Sequence, residues 1–354
     1  MKLNEFLLSA VKKGASDIHF KAGSPPILRI YGDIVKIKSA PMTPQAMNSL
    51  AFTFINEAKR RNFRSFTEMD TTYTIPNEAR FRVNIYRQKG TFAIAMRHIP
   101  LKLPSMEQLR IPEVAKRFAM EPRGLVIVTG VTGSGKSTTL ASMINYINMH
   151  KRSHIITIED PIEFIHEDIK SVVNQREVGT DTPSFLSALR AAMRENPDVI
   201  MVGEMRDTDT IATVLRASET GHLVLTTFHT TDAKETITSI VSYFPPHQQQ
   251  QVRAQLAANL KGIISQRLIK RKDGLGRVLA PEVLVNSPTI RACILDPARI
   301  DEIPEHMSRG TSEYGMQTFD QAVMHLYKEG LISYESALAN ATSPAEFERA
   351  IQFG

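Results

Sequence analysis

The eight residues Gly130-Val131-Thr132-Gly133-Ser134-Gly135-Lys136-Ser137 match the pattern G-x-x-x-x-G-K-[ST] at every fixed position, and the chemistry of that spacing is phosphate binding. The glycines let the backbone turn until successive N–H groups point inward at phosphate oxygens, where the positive end of a following helix adds to the attraction. Lys136 then reaches the β- and γ-phosphates of ATP and the Ser137 hydroxyl ligates Mg²⁺, with Thr132, Ser134 and Thr138 lining the same cradle. A glycine-rich turn that binds nothing is the competing reading. The flanks tell against it: Leu125-Val126-Ile127-Val128 reads as a buried strand before the loop, and Leu140, Met143, Ile144 and Ile147 follow at helical spacing.

Three polar clusters lie downstream, placed at strand ends, where open α/β sheets put their ligands. Glu159-Asp160-Pro161-Ile162-Glu163 follows Ile158, and Gly203-Glu204 follows Val202. The third runs from His222 ahead of its strand to His229 behind it, with Thr226 and Thr227 between. One carboxylate after a strand is usually a helix cap; recurrence downstream of a phosphate loop points to hydrolysis instead. Breaking the β–γ bond takes a metal, a group that orients water, and cations for the charge that develops. Lys136 and Mg²⁺ on Ser137 meet the first need, and Glu204 and Glu163 are candidates for the second. The third is unfilled in this part of the chain, and Arg82 and Arg97 could fill it from a neighbouring subunit. Gly203 stands where an Asp is usual, which leaves Glu204, Asp160 and Glu159 as alternative carboxylates for the metal.

Arg82 and Arg97 are candidates because of the strands that carry them. With Lys89-Gly90 as a two-residue loop between Arg80–Arg87 and Thr91–His98, Val83 falls opposite Met96 and Ile85 opposite Ile94, a continuous apolar face. Arg82 and Arg97 are then opposed on the other face, with Arg80 beside them. Two opposed arginines repel unless something anionic lies between. That anion is either a carboxylate of the chain itself or a phosphate.

The remaining pattern describes two domains. Residues 1–99 read as a small α+β domain: a helix from Leu3 to Lys13 stopped by Gly14, a hairpin about Gly32-Asp33, and a helix capped by Thr43 with Pro44 in its first turn. Residues 100–121 read as a proline-stiffened linker and a first helix, residues 122–286 as the nucleotide-binding core, and residues 287–354 as short helices. In the core the apolar runs 155–158, 199–202 and 223–225 alternate with helices, one capped by Thr182-Pro183 and one opened by Asp207, which implies a largely parallel sheet. Val252, Leu256, Leu260, Ile263 and Ile264 fit one amphipathic helix ending near Arg267.

The chain has 354 residues, a formal charge of +6 and one cysteine, Cys293. One thiol makes neither an internal disulfide nor a four-thiolate zinc site, and Cys293 is assigned no chemistry. No apolar stretch reaches the length of a membrane span and the N-terminus lacks a secretory pattern, so a cytoplasmic protein is expected. Basic clusters at Lys59-Arg60-Arg61 with Arg64, and at Arg267 with Lys270-Arg271-Lys272, lack the interleaved aromatics of a single-strand binding surface. No nucleic acid partner is expected, and a nucleic-acid motor and a nucleotide-gated binding module that hardly hydrolyses remain the competing classes.

Gly130 to Ser137, Ile158 to Glu163, Val202-Gly203-Glu204-Met205-Arg206-Asp207 and Glu219 to Thr230, in that order, resemble the secretion-superfamily ATPases, and within them the retraction ATPases of type IV pili. The likeness runs from Ala15-Ser16-Asp17-Ile18-His19 to Gly315-Met316-Gln317-Thr318. It implies an α/β fold, a RecA-like P-loop NTPase domain preceded by a smaller PAS-like α+β domain, assembled as a homohexamer. It implies that Glu204 is the main catalytic carboxylate, that Glu163 assists with metal and water, and that His229 senses the γ-phosphate or the subunit interface. It places His222 at the cofactor as well, and brings Arg82 and Arg97, with Arg80, to the nucleotide from the N-terminal domain. The implied partners are an inner-membrane pilus platform protein and a paralogous retraction ATPase. Assembly and type II secretion relatives carry a four-cysteine insert that this chain lacks, which favours retraction; an accessory retraction motor has the same layout.

Overall fold

The computed structural model describes residues 2–30, 32–55, 67–100 and 103–353. The basic run Lys59-Arg60-Arg61 with Arg64, and part of the expected linker, lie outside them. The chain forms two compact units, Met1–Leu103 with Pro161–Ile165, and Pro104–Asp160 with His166–Gly354.

The first unit contains α1 (Leu3–Lys12), β1 (Ala15–Lys21), β2 (Ile27–Ile30), β3 (Asp33–Lys36), α2 (Pro44–Phe54), β4 (Glu68–Ile75), β5 (Ala79–Gln88) and β6 (Thr91–Ile99). The strands make one sheet in the order β3-β2-β1-β6-β5-β4, and every neighbouring pair is antiparallel. Alternation decides what the sheet buries: Ile18, Phe20, Val83, Ile85, Ile94 and Met96 share one core with Phe6 and Leu7 of α1 and Met47 and Ala51 of α2. Thr43 caps α2 as its sequence suggests, its hydroxyl accepting from the Ala46 N–H at 3.1 Å. The β5–β6 register is the expected one, Val83 opposite Met96, Ile85 opposite Ile94 and Arg82 opposite Arg97. Its two loop residues, Lys89 (φ 49°) and Gly90 (φ 75°), both take the left-handed conformation that a tight hairpin requires.

The second unit opens with α3 (Val114–Ala119), β7 (Gly124–Thr129), α4 (Lys136–His150), β8 (His154–Glu159), β9 (Val172–Glu177), α5 (Phe185–Ala192), β10 (Val199–Val202), α6 (Thr208–Glu219) and β11 (Leu223–Phe228). It continues with α7 (Ala233–Ser242), α8 (Pro246–Asn259), β12 (Leu260–Lys270) and β13 (Arg277–Val285). It closes with α9 (Pro288–Leu295), a 3-10 turn Pro297–Glu302, α10 (Ile303–Arg309), α11 (Thr311–Tyr314), α12 (Phe319–Lys328), α13 (Tyr334–Asn340) and α14 (Pro344–Phe353). The sheet order is β13-β12-β7-β11-β10-β8-β9. All pairs are parallel except the antiparallel edge pair β12–β13. Two apolar clusters cover its faces, one including Ile127, Ile158, Val202 and Val224, the other Val126, Val128, Met143, Ile144 and Leu225. Among the described residues no helix is long and apolar enough to cross a membrane.

Two expectations need correction. The helix expected to run through Leu260, Ile263 and Ile264 to Arg267 stops at Asn259, and Leu260–Lys270 is strand β12. Covering on both faces buries Leu260, Ile263 and Ile264 together, which imitates helical spacing; a buried strand and a helix are not separable on such a run. Gly262 marks the strand, since a Cβ there would collide with the Phe118 ring of α3 and the carbonyl of Leu284. Thr182-Pro183 is not the cap of α5 either; Ser184 is, its hydroxyl accepting from the Ser187 N–H at 3.1 Å.

Candidate functional site

β7 ends at Thr129 with every residue buried, so the chain must turn sharply to release α4 on the sheet's face. Gly130 makes the turn at φ 143°, where a Cβ would lie 2.6 Å from both the Gln266 carbonyl oxygen and Ser134 Oγ. No other residue fits there. Gly135, at φ 94°, is the N-cap of α4, and the helix therefore points its free N–H groups into the loop. Lys136, the first helical residue, is 9% exposed. Its ammonium donates to the Gly130 and Val131 carbonyls at 2.7 and 3.1 Å. Ser134 is buried beneath the loop, Thr132 and Ser137 are exposed, and Thr138 is half-buried. One motif segment thus carries a cation, an exposed hydroxyl and a helix N-terminus.

Strand order ranks the downstream clusters by distance from that cradle. His229 follows β11, the neighbour of β7; Glu204 follows β10, the next strand; Glu159 ends β8, one further, and Asp160 follows it. At a strand spacing of about 4.8 Å, Glu204 stands about 10 Å along the edge and Glu159 about 14 Å. Glu204 and His229 are brought together, His229 Nε2 lying 3.1 Å from Glu204 Oε2, and Arg206 pairs with the other carboxylate oxygen. The Glu204 side chain is 12% exposed.

The gap left by the missing Asp has a packing cause. A Cβ on Gly203 would lie 3.2 Å from the Ile158 carbonyl oxygen and 3.3 Å from the Phe185 ring, so a larger residue at the strand end would need both to give by a few tenths of an ångström. Of the alternative carboxylates, Glu159 accepts at Oε1 from Thr157 Oγ1 at 2.7 Å and Gln175 Nε2 at 3.1 Å. Glu159 and Asp160 thus lie three strand positions from β7. His222 stands apart from the loop of its own chain. It precedes β11, at the sheet edge opposite the cradle, its carbonyl accepting from the Gly124 N–H at 3.0 Å and its ring meeting the Ala217 carbonyl at 3.0 Å. A strand of six residues, about 20 Å, separates it from its own chain's loop.

The remaining candidates lie in the first unit. One row of its open sheet face reads Arg29, Asp17, Arg97, Arg82 across β2, β1, β6 and β5. Arg97 Nε donates to Asp17 Oδ1 at 3.0 Å, Arg29 Nε stands 3.8 Å from the same carboxylate, and Arg82 lies 3.7 Å from Asp70. The Arg82 guanidinium also stands 4.0 Å from Glu163, and Arg80, 7% exposed, donates to the Ile162 carbonyl at 2.8 Å. The structure therefore groups Glu163 with the arginines in the first unit. Each opposed arginine is met on its outer side by carboxylates of the chain itself, Arg97 by Asp17 and Arg82 by Asp70 and Glu163.

Sequence reasoning left two groups at the site without a role. Arg206 was visible two residues after Glu204. Gln266 was hidden by the helical reading of β12, although a polar residue after Ile263-Ile264-Ser265 in a buried strand is a signal. Cys293 meets Glu302 at 4.0 Å near His306, but Arg299 already forks onto that carboxylate at 2.9 to 3.3 Å, which makes it an ion-pair network.

Residues 1–296 match the family described as type II/IV secretion system protein. Over 347 residues the chain is 46% identical to the type IV pilus retraction ATPase PilT of Pseudomonas aeruginosa, covering 98% of this chain and 100% of that one. The chain belongs to the type II/IV secretion system protein family. A second relative, the type IV pilus ATPase PilU of the same organism, is 40% identical over 354 residues, covering 100% of this chain and 92% of the other. A crystal structure of the pilus retraction motor PilT with bound ADP matches with a TM-score of 0.89 at 46% identity and 99% coverage of both chains. The family's architecture, a RecA-like ATPase domain after a smaller N-terminal domain, is the one found here.

Proposed function

We propose that this member of the type II/IV secretion system protein family is an ATPase whose hydrolysis powers retraction of a type IV pilus. The observation that carries the reading is the 46% identity to PilT along nearly the whole of both chains, and the phosphate cradle supplies its chemistry. Water attacks the γ-phosphorus, the bond from that phosphorus to the β–γ bridging oxygen breaks, and ADP leaves with the electron pair. Glu204 orients the water and accepts its proton; His229, 3.1 Å away, holds the carboxylate and reads the γ-phosphate. Lys136 leaves its two loop carbonyls for the phosphate oxygens.

Mg²⁺, when bound, neutralises the phosphate oxygens. Ser137, exposed on the first turn of α4, is the residue that would hold it, and one hydroxyl suits an ion that usually keeps several waters. Arg82 and Arg97, with Arg80, act in trans, reaching the nucleotide of the next subunit in a homohexameric ring, and Glu163 travels with them. The domains we assign are 1–99, the linker segment 100–121, the ATPase core 122–286 and the helical 287–354, with Pro161–Ile165 of the core belonging to the first compact unit. The ring works in the cytoplasm against an inner-membrane platform protein, beside a paralogous retraction ATPase. The full-length likeness to PilU favours one second reading, that the chain is itself the accessory ATPase.

Deletion of the gene tests the direction of the motor. A retraction motor leaves surplus surface pili and no twitching; an accessory ATPase leaves twitching weakened but present. Loss of pili would mean assembly, and would overturn the proposal.

A further inference from the structure

We propose that Gln266 is a positioning residue for the phosphate cradle, and that it sets nucleotide affinity by pairing with Ser134 when the loop closes on phosphate. The inference rests on reading Gly130–Ser137 as the nucleotide site. Gln266 lies on β12, where Ser265 pairs with Thr129, the last residue before the loop. It is 1% exposed. Its backbone carbonyl forms the wall that only a glycine at 130 can approach. Its side-chain amide donates to Thr139 Oγ1 at 2.6 Å, one turn into α4. The loop's two ends, Gly130 and the first turn of α4, are thus both set against one residue.

Among the described residues the other end of that amide has no partner. Gln266 Oε1 is buried and unbonded, and so is the Ser134 hydroxyl. Oε1 sits 4.0 Å from the Cβ position of Gly135, and Ser134 Oγ sits 2.6 Å from that of Gly130, so both belong to the back of the same loop. One is an acceptor and the other a donor. Leaving two complementary buried groups unpaired costs free energy, and the present loop pose keeps them apart while Lys136 caps its own carbonyls. A phosphate that draws Lys136 away lets the loop settle, and in the settled pose Ser134 donates to Gln266. The pairing is then made only with nucleotide bound, so it contributes to affinity and little to the stability of the empty protein.

The test uses the full-length protein and ADP as probe, with affinity from calorimetry and melting temperature measured without nucleotide. Gln266→Met keeps the volume and loses both amide bonds; Ser134→Ala removes one hydroxyl and leaves the fold intact even where Gln266→Met does not. Each is expected to weaken ADP binding about tenfold, while Ser134→Ala leaves the nucleotide-free melting temperature at the wild-type value. The double variant should bind no worse than the weaker single, because both remove one interaction. Wild-type ADP affinity in Ser134→Ala, or losses that simply add, would overturn the proposal. A wild-type protein that binds no ADP would instead sink the functional reading on which it rests.

Discussion

The two sheets place chemistry-bearing side chains by opposite means. In the antiparallel sheet of the first unit they stand mid-strand, and register alone aligns Arg29, Asp17, Arg97 and Arg82 in one row. In the parallel sheet of the second unit none of Lys136, Glu204 and His229 lies in a strand; each is delivered by the segment that leaves a strand's end. The energetics differ to match. Arg97 is 69% exposed and Arg82 40%, so their ion pairs are worth about 1 kcal/mol or less each. They exchange one anion for another easily. Glu204, 12% exposed and held at both oxygens, does not. One unit offers loosely held cations; the other holds a tightly placed acid beside a cradle.

The largest expected effects fall on the tightly held side. Lys136→Ala and Glu204→Gln should each cut phosphate release by about a thousandfold or more, since each removes a charge placed for the transition state. Residual turnover near wild type in either would dissolve the contrast. On the loose side, Arg82→Ala or Arg97→Ala should lower turnover about a hundredfold while ADP affinity stays at the wild-type value, because the cradle is complete without them. Wild-type turnover in Arg82→Ala would end the trans-arginine reading. Mixing Arg82→Ala chains with Glu204→Gln chains sharpens it: turnover should recover in part, as some junctions regain a whole site.

Both mechanisms of placement were legible in the sequence to different depths. Register was readable because Val83, Ile85, Ile94 and Met96 form a face under only one loop length. The cradle was readable because its spacing is its chemistry. What failed depended on the whole sheet. Nothing local says that β8 lies one strand further from β7 than β10 does, so Glu159 and Glu204 looked equivalent as metal carboxylates. His222 and His229 frame one strand, and only its direction puts them at opposite edges. Gly203 in place of Asp was visible as a departure, but its cause, Phe185 and the Ile158 carbonyl, comes from segments far apart in sequence. Strand β12 was lost because burial on both faces erases the alternation that marks a strand.

A smaller effect separates the units by pH. Burial lifts the carboxyl of Glu282 to about 7, and nearby Asp232 adds to it, against the Ala233 N–H, the Ser265 hydroxyl and Arg267. Between the ordinary carboxylate range and about 7 the folded protein binds a proton that the unfolded chain has released. Stability therefore falls as pH rises through that window, by at most about 3 kcal/mol. Glu282→Gln keeps an acceptor for Ala233 and Ser265 and should lose less melting temperature between pH 5 and pH 8 than wild type. An unchanged slope would place the titration elsewhere. Asp70→Asn, whose pair with Arg82 is exposed at both ends, should change stability by about 1 kcal/mol or less, and that disparity is the contrast between the units in energetic form.

The smallest effect probes register most directly. Gly90 and Lys89 hold positive φ in a loop of two residues, and a Cβ on Gly90 would meet nothing within 4 Å. Gly90→Ala therefore carries backbone strain alone, about 1 kcal/mol. If the apolar face of Val83, Ile85, Ile94 and Met96 sets the register, the strain lowers stability and leaves Arg82 opposite Arg97, so turnover does not change. If the turn sets it, the strands slip by one residue, the arginines move to the buried face, and turnover falls as far as it does in Arg82→Ala. Measuring melting temperature and phosphate release on this one variant separates the two, and the first outcome is expected because four buried side chains oppose a slip that the turn alone could favour by only that amount.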